Sequence, residues 1–339
     1  MSETTMAFAP PPLAHLRARA AACAAIRQFF TARGHLEVST PALRGHGAMD
    51  PHLCSFVTTL VQPGGAHGVA ARRAYLQTSP EYALKILLGT YGCSLFEIAK
   101  VFRNEEAGPY HHHEFTMVEW YSVGSDDVAL MEETEALVRA VAAALGCACL
   151  VRAGRAIALE RPFIRLSVRE AFVRYAGVDP FVVTDRQDFI AAARSVGSAP
   201  GDDWPWEDVF HLLLMDKVEG ALGWEAPTFL HDYPPSLSAL ARFKADAQGC
   251  RVAARFELYV GGLELCNGYD ELNDPDEQRE RFAREQALRA ALGREAMPVD
   301  EALLWAVGRM PPTAGNALGL ERLLMVLLGA DDIGAVLVR

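Results

Sequence analysis

Leu95-Phe96-Glu97-Ile98-Ala99-Lys100-Val101-Phe102-Arg103-Asn104-Glu105-Glu106, followed after a short polar stretch by Glu114-Phe115-Thr116-Met117-Val118-Glu119-Trp120-Tyr121, is the passage on which the reading of this chain turns. Apolar and polar side chains alternate through both halves, and Glu105 to His113 between them is polar and carries Gly108 and Pro109. The pattern predicts a β-hairpin from Leu95 to Tyr121 with a long loop at its tip. Period-two alternation puts Glu97, Ala99, Val101, Arg103 and Glu105 on one face, and Phe115, Met117, Glu119 and Tyr121 on one face of the return strand. If the two faces coincide, a cation, carboxylates and two aromatics share a surface. Arg103 could then take a phosphate or carboxylate through two nitrogens, and Phe115 could stack a purine. An exposed strand face with ordinary cross-strand pairs would show the same pattern.

On the N-terminal side, Pro10-Pro11-Pro12 precedes a helix expected over Leu13 to Arg33. Leu13, Leu16, Ala20, Ile26, Phe29 and Phe30 supply its apolar side, and Gly34 stands where a left-handed cap belongs. His35 to Pro41 continues it as a strand. On the C-terminal side, Arg255 to Asn267 reads as a tighter hairpin around Gly261-Gly262. With a two-residue turn, Tyr259 faces Glu264 and Glu257 faces Cys266, which makes Glu257 and Glu264 diagonal neighbours about 7 Å apart. Two such carboxylates suit Mg²⁺ shared with a nucleotide's phosphates; equally, Arg255 on the same face could neutralise them. Residues 125 to 225 show helical periodicity, broken by a loop from Gly197 to Trp206. A short strand, Asn316 to Gly319, then leads into a helix over Leu320 to Leu328 closed by Gly329. Arg322 in its first turn is either a contact for a triphosphate tail or a surface residue. Strand pairs far apart in sequence with helices between them predict an α+β fold with a mainly antiparallel sheet flanked by helices.

The chain has 339 residues, 51% hydrophobic and 22% charged, so it can bury a substantial core. With 32 Lys+Arg against 43 Asp+Glu the net charge is −11, which leaves only a local basic patch as a route to nucleic acid. The longest charge-free window, Pro51 to Ala71, contains Gln62, Pro63, Gly64, Gly65 and two histidines and is no membrane span. Met1-Ser2-Glu3-Thr4-Thr5 has no leader character, and the seven cysteines are scattered without a CxxC pair, which points to a reducing cytoplasm. His111-His112-His113-Glu114 lies on an extended stretch whose side chains point alternately, a poor arrangement for one metal ion. P-loop, Rossmann and GxSxG signatures are missing.

Taken together, these stretches resemble the three motifs of class II aminoacyl-tRNA synthetases, in their lysyl branch. The first helix, strand and Pro41 are similar to motif 1; Val101 to Glu106 with Glu114 to Tyr121 resembles motif 2; Asn316-Ala317-Leu318-Gly319-Leu320-Glu321-Arg322 resembles motif 3. Thr78-Ser79-Pro80-Glu81-Tyr82 and Glu264 to Leu272 resemble the branch's amino-acid-pocket signatures. The resemblance implies one catalytic domain over 1–339 with a helical insertion at roughly 125–225. Forty residues precede Pro41, too few for the OB-fold anticodon domain of lysyl-tRNA synthetases. Ala317, where those enzymes carry glycine, is shared with their paralogues that ligate (R)-β-lysine to elongation factor P.

That likeness implies ATP and Mg²⁺ as cofactors, (R)-β-lysine and elongation factor P as partners, no tRNA, no membrane, and a homodimer built on motif 1, whose long helix has little else in so short a chain to bury against. Arg103 and Arg322 would be the catalytic cations, Arg103 bridging the α-phosphate and the amino-acid carboxylate and Arg322 holding the γ-phosphate. Asn104, Glu105, His112, Phe115, Glu264, Leu265 and Gly319 would complete the ATP site, with Glu257 and Glu264 on the metal. Ser79, Pro80 and Glu81 would hold the substrate amine; Tyr121 and Glu271 would take the side-chain ammonium, with Asn267 nearby and Ala317 at the pocket floor. Two features depart from the branch: His112 replaces an asparagine expected to touch ATP, and the chain ends at Arg339, soon after motif 3. The implied chemistry is adenylate formation followed by acyl transfer to a protein lysine. Two other readings stay open: an enzyme activating α-lysine for tRNA, and a synthetase-like subunit without activity.

Overall fold

Phe96, Ile98, Val118 and Trp120 of the first hairpin point into one core, and the sheet grows from there. The computed structural model describes residues 10–65 and 68–338, side chains within 62–70 excepted, so the Met1 to Thr5 stretch and Arg339 lie outside it. In chain order the elements are α1 (Leu13–Ala32), β1 (Leu36–Glu37), β2 (Leu43–Arg44), β3 (Val57–Gly65), β4 (Gly68–Leu76), α2 (Glu81–Tyr91), β5 (Leu95–Phe102), β6 (Glu114–Val123) and α3 (Asp127–Ala144). Next come β7 (Cys149–Arg152), β8 (Arg155–Ala158), β9 (Ile164–Ser167), α4 (Val168–Ala171), α5 (Arg186–Ser195), α6 (Trp206–Leu213), β10 (Thr228–Tyr233) and β11 (Phe243–Ala245). The chain closes with β12 (Arg251–Val260), β13 (Leu263–Asp270), α7 (Pro275–Ala291), α8 (Glu301–Val307), β14 (Thr313–Gly319) and α9 (Leu320–Leu328).

Among the described residues the main sheet runs β1-β5-β6-β14-β13-β12-β10-β9, with β11 also on β12. Its centre is antiparallel, and only the marginal pairs β1/β5 and β9/β10 are parallel. The two faces of the first hairpin do coincide: Glu97 lies opposite Glu119, Ala99 opposite Met117 and Val101 opposite Phe115. Strand β14 brings motif 3 between the two hairpins, with Ala317 opposite both Glu119 and Asn267. A row thus crosses five strands: Glu97, Glu119, Ala317, Asn267, Glu257.

Helices α1, α3 and α9 cover one side of the sheet. α1 buries Ala22, Ile26, Phe29 and Phe30, and the Phe30 ring lies 4.9 Å from Phe96 and 5.2 Å from Trp120. The expectation that this helix lacks a partner within its own chain is therefore overturned, since α3 and the sheet bury it. The expectation of an all-helical stretch over 125–225 is corrected too. It contains β7 and β8, which pair with each other, and β9, which joins the main sheet. These strands of four residues each are too short for alternation to stand out in an Ala- and Val-rich segment.

The second hairpin turns at Gly261 and Gly262, both at positive φ (55° and 74°), and Tyr259 faces Glu264 as the two-residue turn requires. Beyond that pair the register slips, so Glu257 faces Asn267 and not Cys266. The extra residue, Leu265, forms a β-bulge that turns both Glu264 and Asn267 to one face and sends Cys266 to the other, where Asn316 Nδ2 donates to its Sγ at 3.4 Å.

Gly315 on β14 lies opposite Tyr121 and Tyr269. A methyl there would come within 2.4 Å of the Tyr121 ring and 2.5 Å of the Glu271 carboxylate, both buried. Gly315→Ala is expected to cost about 1 to 3 kcal/mol through overpacking. Urea titration reads this as a lower midpoint at unchanged slope, and an unmoved midpoint would show that the contact relaxes freely.

Candidate active site

A cavity of about 390 Å³ opens on the face of the sheet that carries the five-strand row. Of the residues expected at a site, Ser79, Glu81, Arg103, His112 and Phe115 border it from the α2 turn and first hairpin. Glu264, Leu265, Asn267, Ala317, Gly319 and Arg322 border it from the bulged hairpin and motif 3. Pro80 is a buried residue capping the start of α2. Asn104, Glu105, Tyr121, Glu257 and Glu271 stand behind or beside the lining.

One end is cationic. Arg103 follows directly on β5; its Nε donates to Thr78 O at 3.3 Å and its guanidinium lies 5.3 Å from the Phe115 ring. Arg322, in the first turn of α9, donates from Nη1 to Glu264 O at 2.8 Å and pairs with the Glu264 carboxylate at 3.3 Å. Its Nη2 donates to His111 Nε2 at 2.7 Å, which needs that nitrogen unprotonated. Burial, then the Arg322 charge, lowers the His111 pKa and keeps the ring neutral. The other two histidines turn elsewhere: His112 Nδ1 lies 2.8 Å from Glu114 O, and the His113 ring packs edge-on against Phe56.

The alternation that put Glu105 on the cavity face fails because β5 ends at Phe102. Glu105 takes φ +68°, and its exposed carboxylate pairs with Arg294 at 3.3 Å. Asn104 bonds backward, its N–H to Cys54 O at 2.8 Å. Both are beside the cavity and not in its lining. Glu257 answers the choice left open by its pattern: Arg255 Nη2 pairs with it at 2.6 Å and the Tyr259 hydroxyl donates to it at 2.6 Å. Burial disfavours its charge, yet Arg255 and the donated hydrogen bonds hold its carboxyl below the ordinary range. Of the expected metal pair, Glu264 alone borders the cavity. Sequence reasoning missed a third carboxylate here, Glu219, pushed up to about 7 by burial and by Glu257 and Glu264. Among the described residues no three His, Cys, Asp or Glu side chains form a complete cage. One or two carboxylates facing a cationic phosphate site still match how Mg²⁺ is shared with a nucleotide.

The other end is anionic and was only half anticipated. Lys85 Nζ lies 2.7 Å from both Glu81 and Glu271, and all but the rim of this triad is buried. Burial alone would discharge Lys85, but the two carboxylates outweigh it and hold the ammonium charged. Burial pushes Glu271 up to about 8, with Lys85 opposing. Glu119, 2% exposed, borders the cavity; it accepts from the Tyr121 hydroxyl at 2.7 Å through Oε1, while its buried Oε2 has no hydrogen-bond partner. Burial and then the Glu81 charge raise its pKa well above the ordinary range. Three carboxylates therefore share one resident cation. Glu81 and Lys85 are four apart on α2, a spacing that signals an ion pair, and Glu119 stood on the alternating face already read from the hairpin.

The sequence model of the family described as "tRNA synthetases class II (D, K and N)" matches residues 8–338. Among curated relatives, a protein of Photorhabdus laumondii named elongation factor P–(R)-β-lysine ligase is 39% identical over 99% of this chain and 98% of its own length. Proteins of the same name are 38% identical in Sodalis glossinidius, over 99% of this chain and 98% of theirs, and 40% identical in Vibrio parahaemolyticus, over 95% and 94%.

Replacing Lys85 by Met would leave Glu81 and Glu271 face to face without a cation. Removing one side of a buried pair costs about 3 to 5 kcal/mol, so the variant should unfold at clearly lower urea near pH 7.5. The deficit should widen above pH 8, where Glu271, held at about 8 beside Lys85, ionises in the wild type but has no cation to pair with in the variant. Equal stability of the two proteins at pH 7.5 would contradict the triad.

Proposed function

The chain belongs to the class II tRNA synthetase family of the D, K and N enzymes, and from that premise we propose that it activates (R)-β-lysine with ATP and transfers the acyl group to a lysine of elongation factor P. One observation carries the choice of substrate: Glu81, Glu119 and Glu271 face one resident cation, Lys85. A buried negative surplus calls for a ligand that brings positive charge. (R)-β-lysine carries two ammonium groups, one for the Ser79–Glu81 turn and one for Tyr121, Glu119 and Glu271, while its carboxylate is drawn to Arg103 at the cationic end. Asn267, whose buried Oδ1 lacks a partner, would orient the chain between them.

In the first step an oxygen of the substrate carboxylate attacks the α-phosphorus of ATP and the bond to the bridging oxygen of pyrophosphate breaks. Arg103 would hold the carboxylate and α-phosphate together while Phe115 stacks the base, and Arg322, steadied by neutral His111 and Glu264, would take the γ-phosphate. Leu265 and Gly319 would leave room for the nucleotide, and His112 would donate a ring hydrogen bond in place of an amide. Asn104 and Glu105 would reach the adenine only if the loop tip closes over it. Mg²⁺, when bound, would neutralise phosphate charge; Glu264 would hold it with Glu257 behind. In the second step an amine of the acceptor displaces AMP.

The exposed apolar side chains of Leu36, Leu43, Val57, Leu60 and Val61 on β1, β2 and β3 support a homodimer that covers them. Among the described residues no helix is long and apolar enough to cross a membrane, and the cysteines are free thiols, which suits a cytoplasmic enzyme. The net charge of −11 disfavours tRNA as the acceptor.

Pyrophosphate exchange with ATP separates this reading from an inactive subunit. Arg103→Ala and Arg322→Ala should each slow exchange about 10²-fold or more, with far-ultraviolet circular dichroism unchanged. Near-normal exchange in either variant would show that the cationic end is not where phosphate chemistry occurs.

Ala317 stands between Glu119 and Asn267 and packs toward Phe115 and Met117. Its methyl would fill space beside the substrate's amino group, a difference worth about 1 to 3 kcal/mol between α- and β-amino acids. The wild type should activate (R)-β-lysine in preference to α-lysine, and Ala317→Gly should narrow or reverse the ratio. A wild type that prefers α-lysine would favour the tRNA-type reading; an unchanged ratio in the variant would remove Ala317 as the selector.

A further inference from the structure

The lining of the cavity continues as an arm from Glu81 in the amine pocket to Glu285 on α7. Met49, Tyr82 and Leu240 wall this arm, and Asp50 and Glu285 border it. Asp50 is exposed, Glu285 half-buried, and Glu119 at the far end of the cavity fully buried, so carboxylates mark the way in from surface to floor. The other cavity carboxylates are engaged: Glu81 by Lys85, Glu264 by Arg322, Glu106 by Arg103, Glu119 by Tyr121, Glu321 by Arg19 and the Thr116 N–H. Among the described residues no hydrogen bond or ion pair engages Glu285. Glu81 connects the arm to the reacting end: its charge acts on Glu285, and it follows the Thr78–Ser79 turn whose carbonyl receives Arg103 Nε at 3.3 Å.

We propose that this arm is the entry port for the acceptor lysine and that Glu285 is the base that accepts its proton. The inference rests on the ligase reading above. An apolar wall with carboxylates at its rim fits a lysine side chain, whose methylenes pack while the ammonium meets charge. A free amine is needed for attack, and an ammonium arriving from water has none. The arriving ammonium passes one proton to a Glu285 oxygen in the arm, and the free amine nitrogen then moves on and bonds to the adenylate's carbonyl carbon. The C–O bond to the phosphate then breaks, AMP leaves with that electron pair, and the nitrogen's second surplus proton goes to solvent to leave the neutral amide.

The surroundings suit a base at neutral pH. Burial pushes the Glu285 carboxyl up to about 7, Asp50 and Glu81 add to this, and Arg281 and Arg284 on its own helix oppose it. Tyr82 faces it from α2 as a phenol held protonated by burial. Arg281 is committed to Glu277 and to two backbone carbonyls, so it does not reach over to pair with Glu285.

The test separates the two half-reactions. Enzyme loaded with (R)-β-lysyl adenylate is isolated and mixed with elongation factor P, and acyl transfer is followed in a single turnover; pyrophosphate exchange is measured on the same samples. Glu285→Gln should slow transfer at pH 7 by about 10²-fold while exchange stays within about twofold, and the rise of transfer through about pH 7 should disappear. Glu285→Asp should recover part of the rate together with the pH dependence. Normal transfer by Glu285→Gln overturns the proposal while leaving the ligase reading intact. Proportional loss of exchange and transfer in both variants also overturns it, by assigning Glu285 to adenylate formation or folding. A wild type that forms no adenylate at all removes the ligase reading and the port with it.

Discussion

A buried surplus of negative charge around Lys85 governs how this molecule is built. Glu81 and Glu271 each lie 2.7 Å from its ammonium, and Glu119 stands close with one oxygen unpartnered. Charges removed from water must be paired, and a group left without a partner shifts its pKa until it is neutral. Much of the surrounding architecture serves to hold these side chains together. Gly315 has no side chain because Tyr121 and Glu271 occupy that space, and β14 lies between the hairpins so that Glu119 and Asn267 flank one residue, Ala317. In the free protein the surplus is relieved by protons, and those protons are what a cationic ligand would displace.

The opposite end of the same cavity carries the opposite sign. Arg103 and Arg322 converge there, and Arg322 is aimed by a neutral imidazole and by a backbone carbonyl, with the Glu264 carboxylate at 3.3 Å offsetting part of its charge. A ligand with a carboxylate at one end and ammonium groups along its length is therefore aligned before any specific contact forms. Orientation of this kind accounts for much of what a ligase of the adenylate-forming type must supply, because the displacement at phosphorus needs little beyond positioning and charge.

The parts legible in the sequence were those with strong local signals. The first hairpin, the Gly261-Gly262 turn, the α1 helix ending at Gly34, and the β14 to α9 passage all stand where alternation, glycine and helical periodicity put them. What escaped depends on single residues or on distant ones. The bulge at Leu265 is signalled only by two consecutive apolar residues, Leu265-Cys266, yet it decides that Asn267 faces the cavity and stands opposite Glu257. Glu105 left the strand face because the chain turns through φ +68° there, a conformation its residue type does not announce. Lys85 meets Glu271 across 186 positions of sequence, and a tertiary ion pair of that span leaves no local pattern.

In the free protein the amine pocket holds protons in place of its ligand, and calorimetry counts them directly. Titrating (R)-β-lysine into the protein with a non-hydrolysable ATP analogue at pH 7, in two buffers of different ionisation enthalpy, should show release of about one proton per site as Glu119 or Glu271 ionises against the incoming ammonium. Binding with no proton release, or with uptake, would contradict the charge surplus as the basis of recognition.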